Sequence, residues 1–152
     1  MVIAVAADHA GYEVKEVVAD HLRSEGYEVL DLGVDTADVP SDYPDAAAAV
    51  AQAIRTGEAE RGVLVCGSGV GVSVAANKYP GIRAAVCHDT YSAHQGVEHD
   101  QMNVLVLGGR IIGEALARDL VDAFVGAQFS GEERHVRRLN KVLAIEREQM
   151  TG

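Results

Sequence analysis

The chain has 152 residues, 48% of them hydrophobic, and its 23 Asp+Glu against 13 Lys+Arg give a net charge of −10 at pH 7. That length suits one domain with its own core, spanning 1–152, and the acidic balance argues against nucleic acid and anionic membranes as partners. No apolar run approaches the ~18 residues of a membrane span, no signal-peptide pattern opens the chain, and two cysteines make no disulfide framework, so a reducing cytoplasm is the expected location.

Residues 2–6 are continuously apolar and predict a buried first strand. Asp8-His9-Ala10-Gly11 follows as a turn, and Val14, Val17, Val18, His21 and Leu22 then recur at helical spacing up to Gly26, a C′ residue. The plain reading of Asp8 is a helix cap, and of His9 a solvated loop residue; both also sit on the first strand-to-helix turn, where ligands bind. Residues 27–32 alternate as a second strand. The longest loop, 33–43, holds Asp35, Asp38, Pro40 and Asp42, and a loop of that length is often functional. Pro44 suits the first turn of a helix running to Thr56, whose alanine-rich sequence suggests close packing.

A third strand, Val63-Leu64-Val65, runs into Cys66 and then Gly67-Ser68-Gly69-Val70-Gly71 ahead of a helix-like run. An apolar strand, a glycine-rich turn and a helix start make a cradle in which backbone N–H groups converge on an anion. Cys66 at the strand's carboxyl end is suited to act as a base or nucleophile; the plain alternative is a small buried residue beside a tight turn. Residues 84–87 form a short fourth strand in which Cys87 reads as core, and Asp89 or Thr90 caps a helix through Glu98. The polar cluster His99-Asp100-Gln101-Met102-Asn103 precedes strand five, 104–107, which Gly108-Gly109-Arg110 leaves. A long amphipathic helix carries Ile112, Leu116, Leu120, Phe124 and Ala127.

The last helix, 132–149, carries Val136, Leu139, Leu143 and Glu146 on one stripe, and Arg134, Arg137, Arg138 and Lys141 on its other faces. Like charges at that spacing repel, so either Glu132, Glu133, Glu146 and Glu148 pair with them or an anion does. Arginine forks match phosphate oxygens, which favours a phosphate clamp. The apolar stripe suits packing on a neighbouring subunit. Five strands alternating with helices predict a three-layer αβα sandwich, an α/β fold with a parallel sheet in the flavodoxin-like order 2-1-3-4-5. Its switch point between strands one and three brings Asp8-His9 to Cys66-Gly67-Ser68.

Asp8-His9-Ala10-Gly11, Asp42-Tyr43-Pro44, Cys66-Gly67-Ser68-Gly69-Val70-Gly71, Ala75-Ala76-Asn77-Lys78, Gly81-Ile82-Arg83-Ala84 and Asn103-Val104-Leu105, in this order, resemble the ribose-5-phosphate isomerase B family, which includes galactose-6-phosphate and allose-6-phosphate isomerases. The resemblance covers essentially the whole chain. It implies interconversion of a phosphorylated aldose and ketose through a cis-enediolate, with no metal or organic cofactor, in a homodimer or homotetramer whose sites are shared between subunits. It implies that Cys66 is the base between C1 and C2, that the Gly67, Gly69, Val70 and Gly71 region supplies amides to the enediolate, that Ser68 (where many members have Thr) shuttles a proton, and that His99 opens the sugar ring. Asp8 and Tyr43 would contact hydroxyls, and His9, Arg110, Arg134 and Arg138 the phosphate. Asp100 stands where many relatives have Asn, which bears on which sugar is taken. Ribose 5-phosphate is the first expectation and a tetrulose 4-phosphate the leading alternative; a non-catalytic phosphosugar-binding regulator belongs to a different class.

Overall fold

The computed structural model describes residues 1–150. Its elements alternate: β1 (Val2–Ala7), α1 (Tyr12–Ser24), β2 (Glu28–Asp31), α2 (Tyr43–Arg55), β3 (Arg61–Cys66), α3 (Val70–Ala76), β4 (Ala84–Val86), α4 (Thr90–Asp100), β5 (Val104–Gly108), α5 (Glu114–Val125) and α6 (Glu133–Gln149). The five strands form one parallel sheet between two helical layers, and no helix among the described residues is long and apolar enough to cross a membrane.

Alternation along the strands divides the core. Ile3, Val5, Val63, Val65, Leu105 and Leu107 pack with Val18, Leu22, Leu120 and Phe124 of α1 and α5. Ala4, Ala6, Leu64, Cys66, Val104 and Val106 face Ala46, Ala47, Val50 and Val72 of α2 and α3. Side chains of successive strand residues point to opposite faces, so residues one apart serve opposite layers. Small side chains on both partners let the alanine-rich α2 lie close to the sheet, and Cys66 reaches the α2/α3 side.

The strand order is β2-β1-β3-β5-β4, not the expected 2-1-3-4-5. A strand flanked on both sides is buried on both faces and needs a continuous apolar run. Val104–Gly108 is buried throughout and pairs with both β3 and β4, whereas Ala84–Val86 is three residues long and partly exposed, as an edge strand is. The chain therefore steps out to the edge with β4 and returns between β3 and β4 with β5. The switch between β1 and β3 is unaffected.

The last helix has little of its length covered. Among its side chains His135 and Leu139 are buried, while Val136, Val142 and Ile145 are exposed. Two of its cations take the carboxylate partners the sequence offers: Arg134 pairs with Glu132 and Arg137 with Glu133, each at 3.0 Å. Glu146 instead accepts from the Gly81 N–H at 3.0 Å.

Candidate active site

Three loops meet at the carboxyl ends of β1, β3 and β5. The Asp8 N–H donates to Val65 O at 3.3 Å, the Gly109 N–H to Cys66 O at 2.7 Å and the Arg110 N–H to Gly67 O at 3.0 Å. Together they enclose a cavity of about 430 Å³ lined by Asp8, His9, Ala10, Tyr43, Cys66, Gly67, Ser68, Gly71, Arg110 and Ile111. The change of sheet direction around β1 opens this crevice, as in other open α/β sheets.

Cys66 is 5% exposed, and its Sγ accepts the Gly69 N–H at 3.2 Å. Ser68 Oγ accepts the Val70 N–H at 3.2 Å. These two bonds shape the loop and leave Gly67, Ser68 and Gly71 as the amides not committed to its own side chains. Gly69 has φ +85°, a left-handed conformation that side chains rarely adopt, and this turns the chain into α3. A Cβ on Gly71 would lie 2.8–3.1 Å from Tyr43 ring atoms, so the bare backbone lets the phenol cover the loop. Cys87 lies elsewhere; burial first, then Asp89, pushes its thiol above the ordinary value, which suits an inert core residue.

Asp8 is buried and its Oδ1 accepts the Gly11 N–H at 3.0 Å, so it caps the turn while lining the cavity. His9 is not a free loop residue. Its backbone N–H donates to Ser41 Oγ at 2.9 Å, and its Nδ1 accepts the Ser41 N–H at 3.0 Å. A nitrogen that accepts from an amide carries no proton, so Nε2 holds the ring hydrogen available to a ligand. Ser41, in the long loop between Pro40 and Asp42, was visible in the sequence only as a turn-forming residue.

His99, Asp100, Arg134 and Arg138 do not line this cavity. In a parallel sheet each helix runs back toward the amino ends of the strands, so the last turn of α4 lies at the end opposite Cys66. The polar cluster before strand five is in part that last turn, since α4 continues through Asp100, two residues beyond the expected end at Glu98. His99 forms a second centre: its Nδ1 is 2.9 Å from Gln95 Nε2, its Nε2 is 3.3 Å from Glu98 Oε1, and its ring stacks on His135 with centroids 4.0 Å apart. His135 is missing from the sequence-based site; its one signal is helical spacing with Leu139, the other buried residue of α6. Burial, then the neighbouring His99 and Arg134, lowers its pKa, against a smaller opposing effect of Glu132. Asp100 faces a third space, about 620 Å³, between β4, α4 and the exposed apolar side of α6.

The chain thus carries two separate polar clusters. One has a thiol, amides, a hydroxyl and Arg110; the other has a histidine beside Arg134 and Arg138. A family model described as Ribose/Galactose Isomerase matches residues 3–142. Ribose-5-phosphate isomerase B of Escherichia coli (strain K12) is 45% identical over 144 residues, 95% of each chain. D-erythrulose-4-phosphate isomerase of Pectobacterium atrosepticum is 42% identical over 129 residues, 85% of each. Among solved structures, ribose-5-phosphate isomerase B of Clostridium thermocellum superposes with a TM-score of 0.93 at 46% identity, covering 97% of this chain and 99% of that one.

Proposed function

The chain belongs to the ribose/galactose isomerase family, and on that premise we propose that it interconverts ribose 5-phosphate and ribulose 5-phosphate as one isomerase domain, 1–152, in the cytoplasm. The observation that carries the reading is the thiol of Cys66 within the cavity of the glycine loop, its Sγ held by the Gly69 N–H. A proton next to a carbonyl is weakly acidic, so a base and a preorganised oxyanion site must act together.

His99 gives a proton to the ring oxygen as the C1–O4 bond breaks and recovers the one the C1 hydroxyl releases, so that a proton passes in net from O1 to O4 and the open aldose is left. The Cys66 thiolate removes the proton from C2. The C–H electron pair becomes the C1–C2 double bond, and the carbonyl electrons move to O1, where the free amides of Gly67, Ser68 and Gly71 meet the charge. Ser68 carries a proton from O2 to O1, and the thiol returns its proton to C1, giving the ketose. Asp8 and Tyr43 orient hydroxyls. His9 and Arg110 of one subunit, with Arg134 and Arg138 of another, hold the phosphate by charge-assisted bonds. The two clusters at opposite ends of the sheet, and the exposed apolar side of α6, support a homodimer or homotetramer with shared sites. Both cysteines are free, as a reducing compartment requires.

A second substrate has specific support: the 42% identical relative named a D-erythrulose-4-phosphate isomerase, together with Asp100. A tetrose 4-phosphate has no free O4 for a furanose ring and needs no ring opening. Turnover of a panel of four- to six-carbon aldose and ketose phosphates separates the readings. The highest kcat/KM is expected with the five-carbon pair. A tetrose preference replaces the substrate, and binding without turnover of any member replaces the enzyme with a regulator.

A further inference from the structure

His135 is the buried titratable group that the reaction leaves unused. It is 3% exposed, and it sits under His99 with the two ring planes at 24°. Its hydrogen bonds fix its tautomer. The Arg134 Nε–H points at His135 Nε2 across 3.4 Å, and an arginine only donates, so that nitrogen accepts. The ring proton is therefore on Nδ1, 2.6 Å from Ser130 Oγ, which also accepts the Glu132 N–H at 3.1 Å. Ser130 is itself anchored, its N–H donating to Glu98 O at 2.9 Å, one residue before His99. Gln95 Nε2 meets His99 Nδ1 from the other side, which leaves the transferable proton of His99 on Nε2.

We propose that His135 is a positioning residue for His99, an uncharged aromatic plate, anchored by Ser130, that fixes the tilt of the His99 ring for proton exchange with the sugar's ring oxygen. The proposal rests on the reading of His99 as the ring-opening group. Two stacked imidazoles do not both hold a proton cheaply, so the plate works only while His135 is neutral. The direction of its pKa shift agrees. The plate face supports whatever charge His99 acquires during transfer, as aromatic faces support cations. An apolar aromatic residue in that place would stack equally well; a non-aromatic one would not.

Three variants test this: His135→Ala, His135→Gln and His135→Phe, each checked for folding by circular dichroism. With ribose 5-phosphate, the Ala and Gln variants are expected to lose about 10-fold or more in kcat, since small misplacements of a reacting group are costly. KM is expected to rise much less than kcat falls, because the tie from His135 to a phosphate-binding side chain is the long 3.4 Å contact with Arg134 Nε. His135→Phe is expected to retain most of kcat. The ¹⁵N imidazole signals of His99 are expected to leave the Nε2–H tautomer pattern in Ala and Gln and keep it in Phe. Wild-type kcat in all three overturns the proposal, as does a raised KM with unchanged kcat, which would make His135 only the seat of Arg134 and Arg138. If Ala fails to fold, the contrast of Gln with Phe decides. The nitrogen signals read positioning without turnover, so an enzyme inactive on ribose 5-phosphate but showing the expected signals refutes the substrate and not the plate.

Discussion

Replacing Cys66 with alanine is the most direct test of the chemistry, because the structure separates its catalytic from its structural cost. The backbone at Cys66 is held independently of the side chain: it lies in register with Gly108, and its carbonyl accepts the Gly109 N–H at 2.7 Å. Alanine removes one nearly buried sulfur and leaves the Gly69 N–H without its partner. Losing that bond costs about 1 kcal/mol and the apolar contact about another, against a total stability of roughly 5–15 kcal/mol. The protein stays folded. The chemical loss is larger: removing the acid/base group is expected to lower kcat by about 10³-fold, or about 4 kcal/mol of transition-state stabilisation. The assay is kcat for isomerisation with binding of a phosphorylated substrate analogue in parallel. In D₂O, wild type is expected to place deuterium on the carbon that receives the proton, and the variant not to. A folded Cys66→Ala protein with wild-type kcat refutes the reasoning and removes the thiol from the mechanism.

Mixing Cys66→Ala protein with the weakly binding Arg138→Ala protein under subunit exchange, assayed at substrate well below the wild-type KM, is expected to raise activity above the sum of the two, because one site of each hybrid dimer then has both the thiol and the arginine; verified hybrids without that gain refute the shared site. Arg138, with no carboxylate partner among the described residues, is expected to raise KM by about 10-fold or more as alanine, by the loss of a charge-assisted bond, and normal KM would reduce it to a solvated helix face. His135 has a folded pKa below 6.5, so the unfolded chain binds more protons there. Its contribution is present above pH 6.5 and is lost as pH falls through 6.5 toward the lowered folded value. The groups facing it are His99 from α4 and Glu132, Arg134 and Arg138 from its own segment. Denaturant titrations at pH 7.5 and 5.5 are expected to show a smaller acid loss in His135→Gln than in wild type; equal losses count against this.

The sheet was legible because its strands are short apolar runs bounded by turn residues, and part of the cavity because a β1–β3 switch brings Asp8-His9 to Cys66-Gly67-Ser68; Arg110 stands there because β5, not β4, lies beside β3. Strand order was less legible. Alternating strands and helices are compatible with either order, and only the burial of Val104–Gly108 against the short, partly exposed Ala84–Val86 places β5 inside. The ends of α4 and α6 were harder still. Spacing could offer Arg134 and Arg137 both carboxylates and phosphate, and within the chain each meets a neighbouring carboxylate, Glu132 and Glu133. Ser41 and His135 were invisible as functional residues for one reason: each acts by touching another side chain far along the sequence or one turn across a helix packing, a relation that no local pattern encodes.

The charges bear on the proposed division of the site between subunits. The chain is strongly acidic, so a phosphate dianion meets repulsion from most of its surface. Arg110 stands at the Cys66 cavity, whereas Arg134 and Arg138 stand at the far end, with Arg134 partly neutralised by Glu132. If the shared-site reading holds, neither cationic group surrounds a phosphate until two chains meet, and the two groups then repel each other across the interface until the phosphate lies between them. Substrate binding and assembly are consequently linked: a ligand that binds only the assembled form stabilises it by mass action. On the shared-site reading, the apolar side of α6, with Val142 and Ile145 exposed beside the β4 edge, is the surface whose burial offsets the repulsion between like-charged chains. On that same reading the phosphate clamp is complete only where Cys66 and the glycine loop of the other subunit stand opposite it.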